Sequence, residues 1–216
     1  MSQESIVAPR ARGRPRLVGA EAQALTAVSE LLEQGQVHGI TMEQIAECAG
    51  VSKITLYRRW PSKLALFVDA LLLRMTERQP LNEYVPPVEA IAGHLTRMAR
   101  EFQGSTGALA RTVVGECLAD PGMIDVLREG YLGHRRAAAI RIITRGQRDG
   151  TFQADGTAEE RHDMLYGTVW YRFLFGTGRL NERVALRLME MVLQPAEGWR
   201  DGWKPPPKSR SVKGAS

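Results

Sequence analysis

The sequence predicts an all-α protein, and three observations carry that prediction. Apolar residues recur three and four positions apart in segment after segment, the spacing of helices with one buried face. No stretch alternates apolar and polar residues convincingly, as a half-buried strand would, and no internal repeat is present. Two helix-start signals flank a glycine between Thr41 and Lys63. The periodic segments come to about nine helices, four before a proline-rich break and five after it.

The first helix is expected over about Val18–Gln34, with Val18, Ala22, Leu25, Val28 and Leu32 inward. Gly35 and Gly39 bracket the loop that follows. Thr41 has Gln44 three positions on, a capping-box arrangement that starts a second helix with Met42, Ile45, Ala46 and Ala49 on its buried face. Gly50 stops it, because glycine takes a left-handed turn without a Cβ penalty. Val51 pins the turn to the core. Ser52 caps a third helix whose opening residues Lys53, Ile54 and Thr55 point outward, while Leu56 and Trp60 form its inward stripe. Pro61 ends that helix, since the residue before a proline avoids the α region. Ser62 caps the fourth, which runs to Arg78 with Leu64, Phe67, Val68, Leu71 and Met75 as its stripe. The three prolines between Gln79 and Pro87 mark a domain boundary. Further helical segments fall near 88–103, 107–119, 122–149, 157–177 and 181–193.

Composition suits a folded chain of 216 residues, with 44% hydrophobic and 25% charged side chains. No apolar run approaches the ~18 residues of a membrane span, and no signal-peptide pattern opens the chain, so a cytoplasmic protein is expected. Cys48 and Cys117 lack metal-ligand spacing and are expected to be reduced packing residues. His94, His134 and His162 are too scattered in sequence for a metal site. No cofactor motif, Gly-rich phosphate loop or nucleophile motif supports an enzyme. The net charge of +5 is concentrated at the ends. Residues 64–199 carry 16 basic and 17 acidic side chains, whereas 200–216 carry 5 and 1. Residues 52–63 hold four basic residues and no acidic one. A basic surface on a neutral body suits a DNA-binding protein.

A capped helix pair around a glycine is also what a purely structural αα-hairpin looks like. The residue string is sharper. IAECAGVSKITLYRRWPSK closely resembles the DNA-binding domain of the TetR family of transcriptional regulators. The likeness lies in the xxIAxxAGVS block, the Thr-Leu-Tyr within the second helix of the pair, an aromatic three beyond the tyrosine and a lysine three beyond that. It is specific over about residues 18–75. Ile54 stands where glycine or proline is frequent, and Trp60 where phenylalanine is. The resemblance implies phosphate contacts from Thr41, Tyr57 and Lys63, and base-edge or groove contacts from Ser52, Lys53, Thr55 and Arg59. Chemistry agrees, because lysine and arginine suit guanine O6 and N7 while tyrosine and lysine donors suit phosphate oxygens. Ile54 is placed to meet a thymine methyl or else packs on the turn. Trp60 is expected to fill the small core.

The resemblance implies a fold of an N-terminal three-helix helix-turn-helix DNA-binding domain and a C-terminal helical ligand-binding and dimerisation domain. The expected organisation is a disordered basic arm over 1–17, a DNA-binding domain over 18–78, a linker over 79–87, a ligand-binding and dimerisation domain over 88–199 and a disordered basic tail over 200–216. Within the arm, Arg12-Gly13-Arg14-Pro15 resembles an AT-hook, so Arg12 and Arg14 are candidates for the minor groove. A solvated tail that adds only non-specific attraction is the other reading. Residues 164–173 resemble the penultimate helix of one TetR subgroup, whose last two helices pair across a two-fold axis. Dimer candidates are Leu165, Gly167, Val169, Trp170, Phe173, Val184, Leu188, Met191 and Val192. Ligand-binding candidates are Met98, Phe102, Val113, Cys117, Tyr131, Tyr166 and Trp170, with Arg111, Glu116 and Arg172 as polar possibilities. The expected function is a homodimeric repressor released from a palindromic double-stranded DNA operator by a small-molecule effector. An architectural DNA-binding protein that needs no effector is the alternative.

Overall fold

The computed structural model describes residues 19–34 and 39–207, and ten α-helices lie within them. The head is built from α1 (Ala20–Glu33), α2 (Met42–Ala49) and α3 (Lys53–Arg59). Leu25, Val28, Leu31 and Leu32 of α1 meet Met42, Ile45 and Ala46 of α2, and Leu56 and Trp60 close the small core from α3. Ala22 is only half-buried; Ala24, Ala27 and Leu31 do more of the packing than the expected stripe. Val18 and Gly35 lie outside the described residues.

α4 (Lys63–Arg78) joins the head to the body. It packs against α1 on one side and along α6 (Ser105–Leu118) on the other. Its buried residues, Leu66, Phe67, Val68, Ala70, Leu71, Arg74 and Met75, spread around most of the helix, as a shared helix requires. α5 (Pro87–Glu101) begins with proline at its first position, where the missing N–H costs nothing. The expected linker before it is tied down. Arg145 donates to the carbonyls of Glu83 and Val85 at 2.6 and 2.5 Å, and Arg141 donates twice to the Glu83 carboxylate.

One helix is expected over 122–149, but the structure divides that stretch. α7 (Pro121–Leu127) is capped by Asp120, whose carboxylate accepts from the Gly122 and Met123 amides. A π-helical turn (Arg128–Leu132) follows, then α8 (Gly133–Arg148). The wider turn draws the Arg128 carbonyl to about 3.0 Å from where a Cβ on residue 133 would sit, and glycine there avoids the crowding. α9 (Ala158–Phe175) starts with a capping box of Thr157 and Glu160 and stops at left-handed Gly176. α10 (Glu182–Leu193), capped by Asn181, lies along α5 and beside α9. α8 packs along α9, closing the body.

The tail expectation is corrected for residues 200–207. Trp199 and Trp203 pack on the body with ring centroids 5.7 Å apart, and Arg200 meets Glu190 at 2.8 Å. Arg100, held by two hydrogen bonds to Glu182, also donates to the Pro206 carbonyl at 2.5 Å. Two half-buried aromatic side chains reward a segment whose prolines have little backbone entropy to lose. Residues 208–216 lie outside the described part, as does the arm with Arg12 and Arg14.

Candidate DNA-reading face and interior cavity

The turn between α2 and α3 follows from its local chemistry. Gln44 N–H donates to Thr41 Oγ1 at 3.2 Å, and Gln44 Oε1 accepts from Thr41 N–H at 2.8 Å. Gly50 sits at φ 64°, turning the chain sharply. Thr55 N–H then donates to Ser52 Oγ at 3.2 Å, and the two hydroxyls bond each other at 2.9 Å. That pair uses one hydroxyl hydrogen and leaves the second for an outside acceptor. Leu56 is the buried residue within α3, and Trp60 at its end anchors through an Nε1–H donated to Asp69 at 2.9 Å. The rest of α3 therefore faces out. Ile54 is 81% exposed, so it does not pack on the turn, and Tyr57 is half-exposed.

Neither α3 nor α4 has an acidic residue in its first turn. Both positive helix ends thus add to the charges of Lys53 and Lys63. Lys63 Nζ lies 5.5 Å from the Phe67 ring centre. Lys53 pairs with Glu43 across the α2–α3 turn, which holds the Glu43 carboxyl below its ordinary range. Arg59 departs from the expected reading role. Its guanidinium meets Glu21 of α1 at 3.0 Å and Asp69 of α4 at 3.3 Å, and it lies against Trp60. It braces α1, α3 and α4 together with carboxylates already in place.

The body holds a half-open cavity of about 420 Å³. Leu71 and Met75 from α4, Met98 from α5, Val114 from α6, and Trp170 and Leu174 from α9 make much of its wall. Ile124, Leu127 and Leu132 close it from α7 and the π-helical turn. One end is polar, with His94, Tyr166, His162, Arg135, Arg136 and Asp163. The Tyr166 hydroxyl bonds His94 Nδ1 at 2.9 Å, and the His162 ring stacks on Tyr166 with centroids 4.7 Å apart. Burial holds both imidazoles below their ordinary value, His94 far below, with Arg135 and Arg97 adding to the effect there.

Of the expected ligand-binding residues, Met98, Tyr166 and Trp170 line this space. Phe102, Val113 and Cys117 do not; they are buried in ordinary core, where Phe102 stacks on Phe173 at 3.8 Å. On α6 the wall residue is Val114, one position along. Arg111 lies over the Phe173 ring, 4.8 Å from its centre, rather than at the cavity. The side chain of Tyr131 lies outside what is described. Sequence reasoning missed His94 and His162 because they are far apart along the chain, although each stands on an apolar-periodic segment.

The residues expected at a dimer contact are mostly turned into the protomer. Leu165, Val169 and Phe173 are buried within the protomer, as is Leu188 on α10. Val184 and Val192 are half-buried against the same core, and Trp170 packs there too. The exposed large apolar side chains of α9 are Met164, Tyr171 and Phe175, the last 71% exposed, and on α10 Met191 is exposed. Gly167 is exposed and stands at the cavity wall with Asp163, Trp170 and Leu174, with open space where a Cβ would be.

A buried cation connects cavity and head. Arg74, between Leu71 and Met75 on α4, donates to the Ser29 carbonyl of α1 at 3.4 Å and to Ser105 Oγ of α6 at 2.8 Å. Thr106 Oγ1 lies 3.4 Å from its Nε and in turn donates to Glu101. Glu33 of α1 is shared between Arg74 at 3.5 Å and Arg78 at 2.9 Å. Cys48 is exposed, not the packing residue expected, and its thiol donates to Glu30 at 3.6 Å. Burial and Glu30 raise that thiol above its ordinary value, the opposite of a reactive thiolate. No group of three or more His, Cys, Asp or Glu among the described residues is arranged to hold a metal, and no described helix is long and apolar enough to cross a membrane.

Comparison with known proteins agrees with this layout. Residues 24–70 match the family "Bacterial regulatory proteins, tetR family", and 89–192 match "Tetracyclin repressor-like, C-terminal domain". The chain is 30% identical over 171 residues to the uncharacterized HTH-type transcriptional regulator YdeS of Bacillus subtilis, covering 79% of this chain and 86% of that one. Among solved structures, the TetR family regulator SCO0332 aligns with a TM-score of 0.70 at 25% identity, over 82% of this chain and 98% of its own. The regulator FadR of Bacillus subtilis, in complex with stearoyl-CoA, aligns with a TM-score of 0.63 at 15% identity, over 80% and 97%. A head with one capped, outward-facing helix on a cavity-bearing helical body is the family's architecture, and this chain belongs to the TetR family of DNA-binding, helix-turn-helix transcriptional regulators.

Proposed function

We propose that the protein is a cytoplasmic homodimeric repressor that leaves a palindromic operator when a small molecule fills the body cavity. The observation that carries this reading is the double use of α4. Leu71 and Met75 form cavity wall, while Arg74 between them holds α1 of the head. A ligand that favours one setting of α4 thereby favours one setting of the head, and only that difference in affinity can shift the equilibrium. FadR of Bacillus subtilis holds stearoyl-CoA, but at 15% identity it lends its fold and not its ligand.

On DNA, Thr41, Tyr57 and Lys63 serve phosphates, while Ser52, Lys53, Ile54 and Thr55 face base edges. Thr41 caps α2 with its oxygen and keeps its hydroxyl hydrogen to donate. Lys53 exchanges Glu43 for the groove, a small cost for an exposed pair. The exposed Met164, Tyr171, Phe175 and Met191 form the two-fold contact, which sets two reading heads on two half-sites. The test is to select bound sequences from random DNA with the full chain and then screen small molecules for release of the best sequence. A palindrome released by a ligand supports the reading. Tight, strongly salt-dependent binding without sequence preference replaces it with an architectural role.

A further inference from the structure

We infer that the cavity takes an uncharged, mainly apolar molecule bearing one hydroxyl or carbonyl oxygen, and that His94 Nε2 pairs with that oxygen. This rests on the reading of the cavity as the effector site and adds the chemical class of the effector.

His94 lines the cavity and is 3% exposed. Its Nδ1 is engaged by the Tyr166 hydroxyl at 2.9 Å, which fixes the ring's orientation. Its Nε2 has no hydrogen-bond partner among the described residues and lies just beneath the cavity surface, so an oxygen reaches it once a wall side chain beside it shifts. A buried polar atom without a partner is unfavourable, and a ligand that supplies the partner recovers that loss on binding. The neighbouring polar groups are already engaged. Asp163 takes two hydrogen bonds from Arg136, at 3.2 and 2.9 Å, and one from His162 at 2.8 Å. Arg135 donates to the Met75 carbonyl at 3.0 Å.

The imidazole is neutral, for its burial and the nearby Arg135 and Arg97 all oppose a proton. A neutral imidazole is one donor and one acceptor, according to its tautomer. A hydroxyl pairs with either form, and a carbonyl pairs with the Nε2–H form. A charged group would have to shed its water among Leu71, Met75, Met98, Val114, Trp170 and Leu174.

The experiment uses one ring system with three substituents: 2-naphthol, naphthalene and 2-naphthoate, each titrated into the full chain and into His94→Leu, with binding read by tryptophan fluorescence and calorimetry. We expect 2-naphthol to bind roughly tenfold more tightly than naphthalene, the gain of one hydrogen bond to a buried partnerless group. His94→Leu should erase that preference and leave naphthalene affinity within about twofold. Equal affinities for naphthol and naphthalene in the unmodified protein overturn the inference without any variant, so a misfolded variant cannot protect it. Tightest binding by 2-naphthoate overturns it in favour of an anionic ligand drawn to Arg135. Binding by none of the three overturns the effector-cavity reading itself.

Discussion

α3 and α9 are both capped at the start by a hydroxyl side chain, yet they are legible to very different degrees. α3 has one inward residue, Leu56, followed by Trp60 at its end, and its other side chains project outward. Each position has one role, so assigning the inward stripe assigns the outward face by elimination. From Met164 onward α9 is apolar on two faces. Leu165, Val169 and Phe173 face the protomer core, while Met164, Tyr171 and Phe175 face out. Periodicity finds both stripes and cannot say which one meets its own core and which meets a second copy.

The largest expected effects test which residues hold each helix. Trp60→Ala and Phe173→Ala should each cost about 3–5 kcal/mol in chemical denaturation, the usual loss for a buried large aromatic. A cost below about 1 kcal/mol for Phe173→Ala would return it to the outer face. Phe175→Glu probes the opposite face of the same helix: protomer folding should change by under about 0.5 kcal/mol, as for an exposed site, while sedimentation shows the dimer lost. A stable dimer in that variant would place the two-fold contact elsewhere.

For α3, Lys53→Ala should cost about 1–3 kcal/mol at one base position and relax preference there, whereas Tyr57→Phe weakens all sequences alike. A binding series over single-base operator variants distinguishes these, and unchanged base preference in Lys53→Ala would remove that lysine from the reading set. The smallest effect separates body from head by pH. His94 is held neutral in the fold, so the unfolded chain takes up its proton first as the pH falls. Its contribution is complete above the unfolded value of about 6.5 and is lost progressively below it, at up to about 1.4 kcal/mol per pH unit. Denaturation at pH 7.5 and 5.5 should show this loss in the parent and a flatter profile in His94→Leu.

What was legible in the sequence follows the range of the forces involved. The capping box at Thr41, the Gly50 turn and the Ser52 and Ser62 caps act within three or four residues, and each stands where the sequence puts it. The break inside 122–149 was hidden because the π-helical turn keeps helical composition while shifting the phase of the stripe. The cavity's polar end joins His94 to residues 68 and 72 positions later, His162 and Tyr166, and only the packing of α5 against α8 and α9 brings them together. Arg59 shows the converse. Its basic character suits DNA, but Glu21 and Asp69, from helices on either side of it, claim it first.

Arg74 has a consequence for how motion is divided. Its hydrogen bonds reach the Ser29 carbonyl of α1 and two hydroxyls of α6 from a position 2% exposed. Hydrogen bonds weaken steeply with distance and angle, and a buried guanidinium has no water to fall back on. Intermediate settings of this joint would strand a charge, so they are sparsely populated. On the proposed ligand-release reading, the head would then move between a few discrete settings rather than along a continuum. On that account a bulkier ligand does not tilt the head further; it changes the fraction of molecules in each setting, and a partial response in a population is a mixture of full responses in individuals.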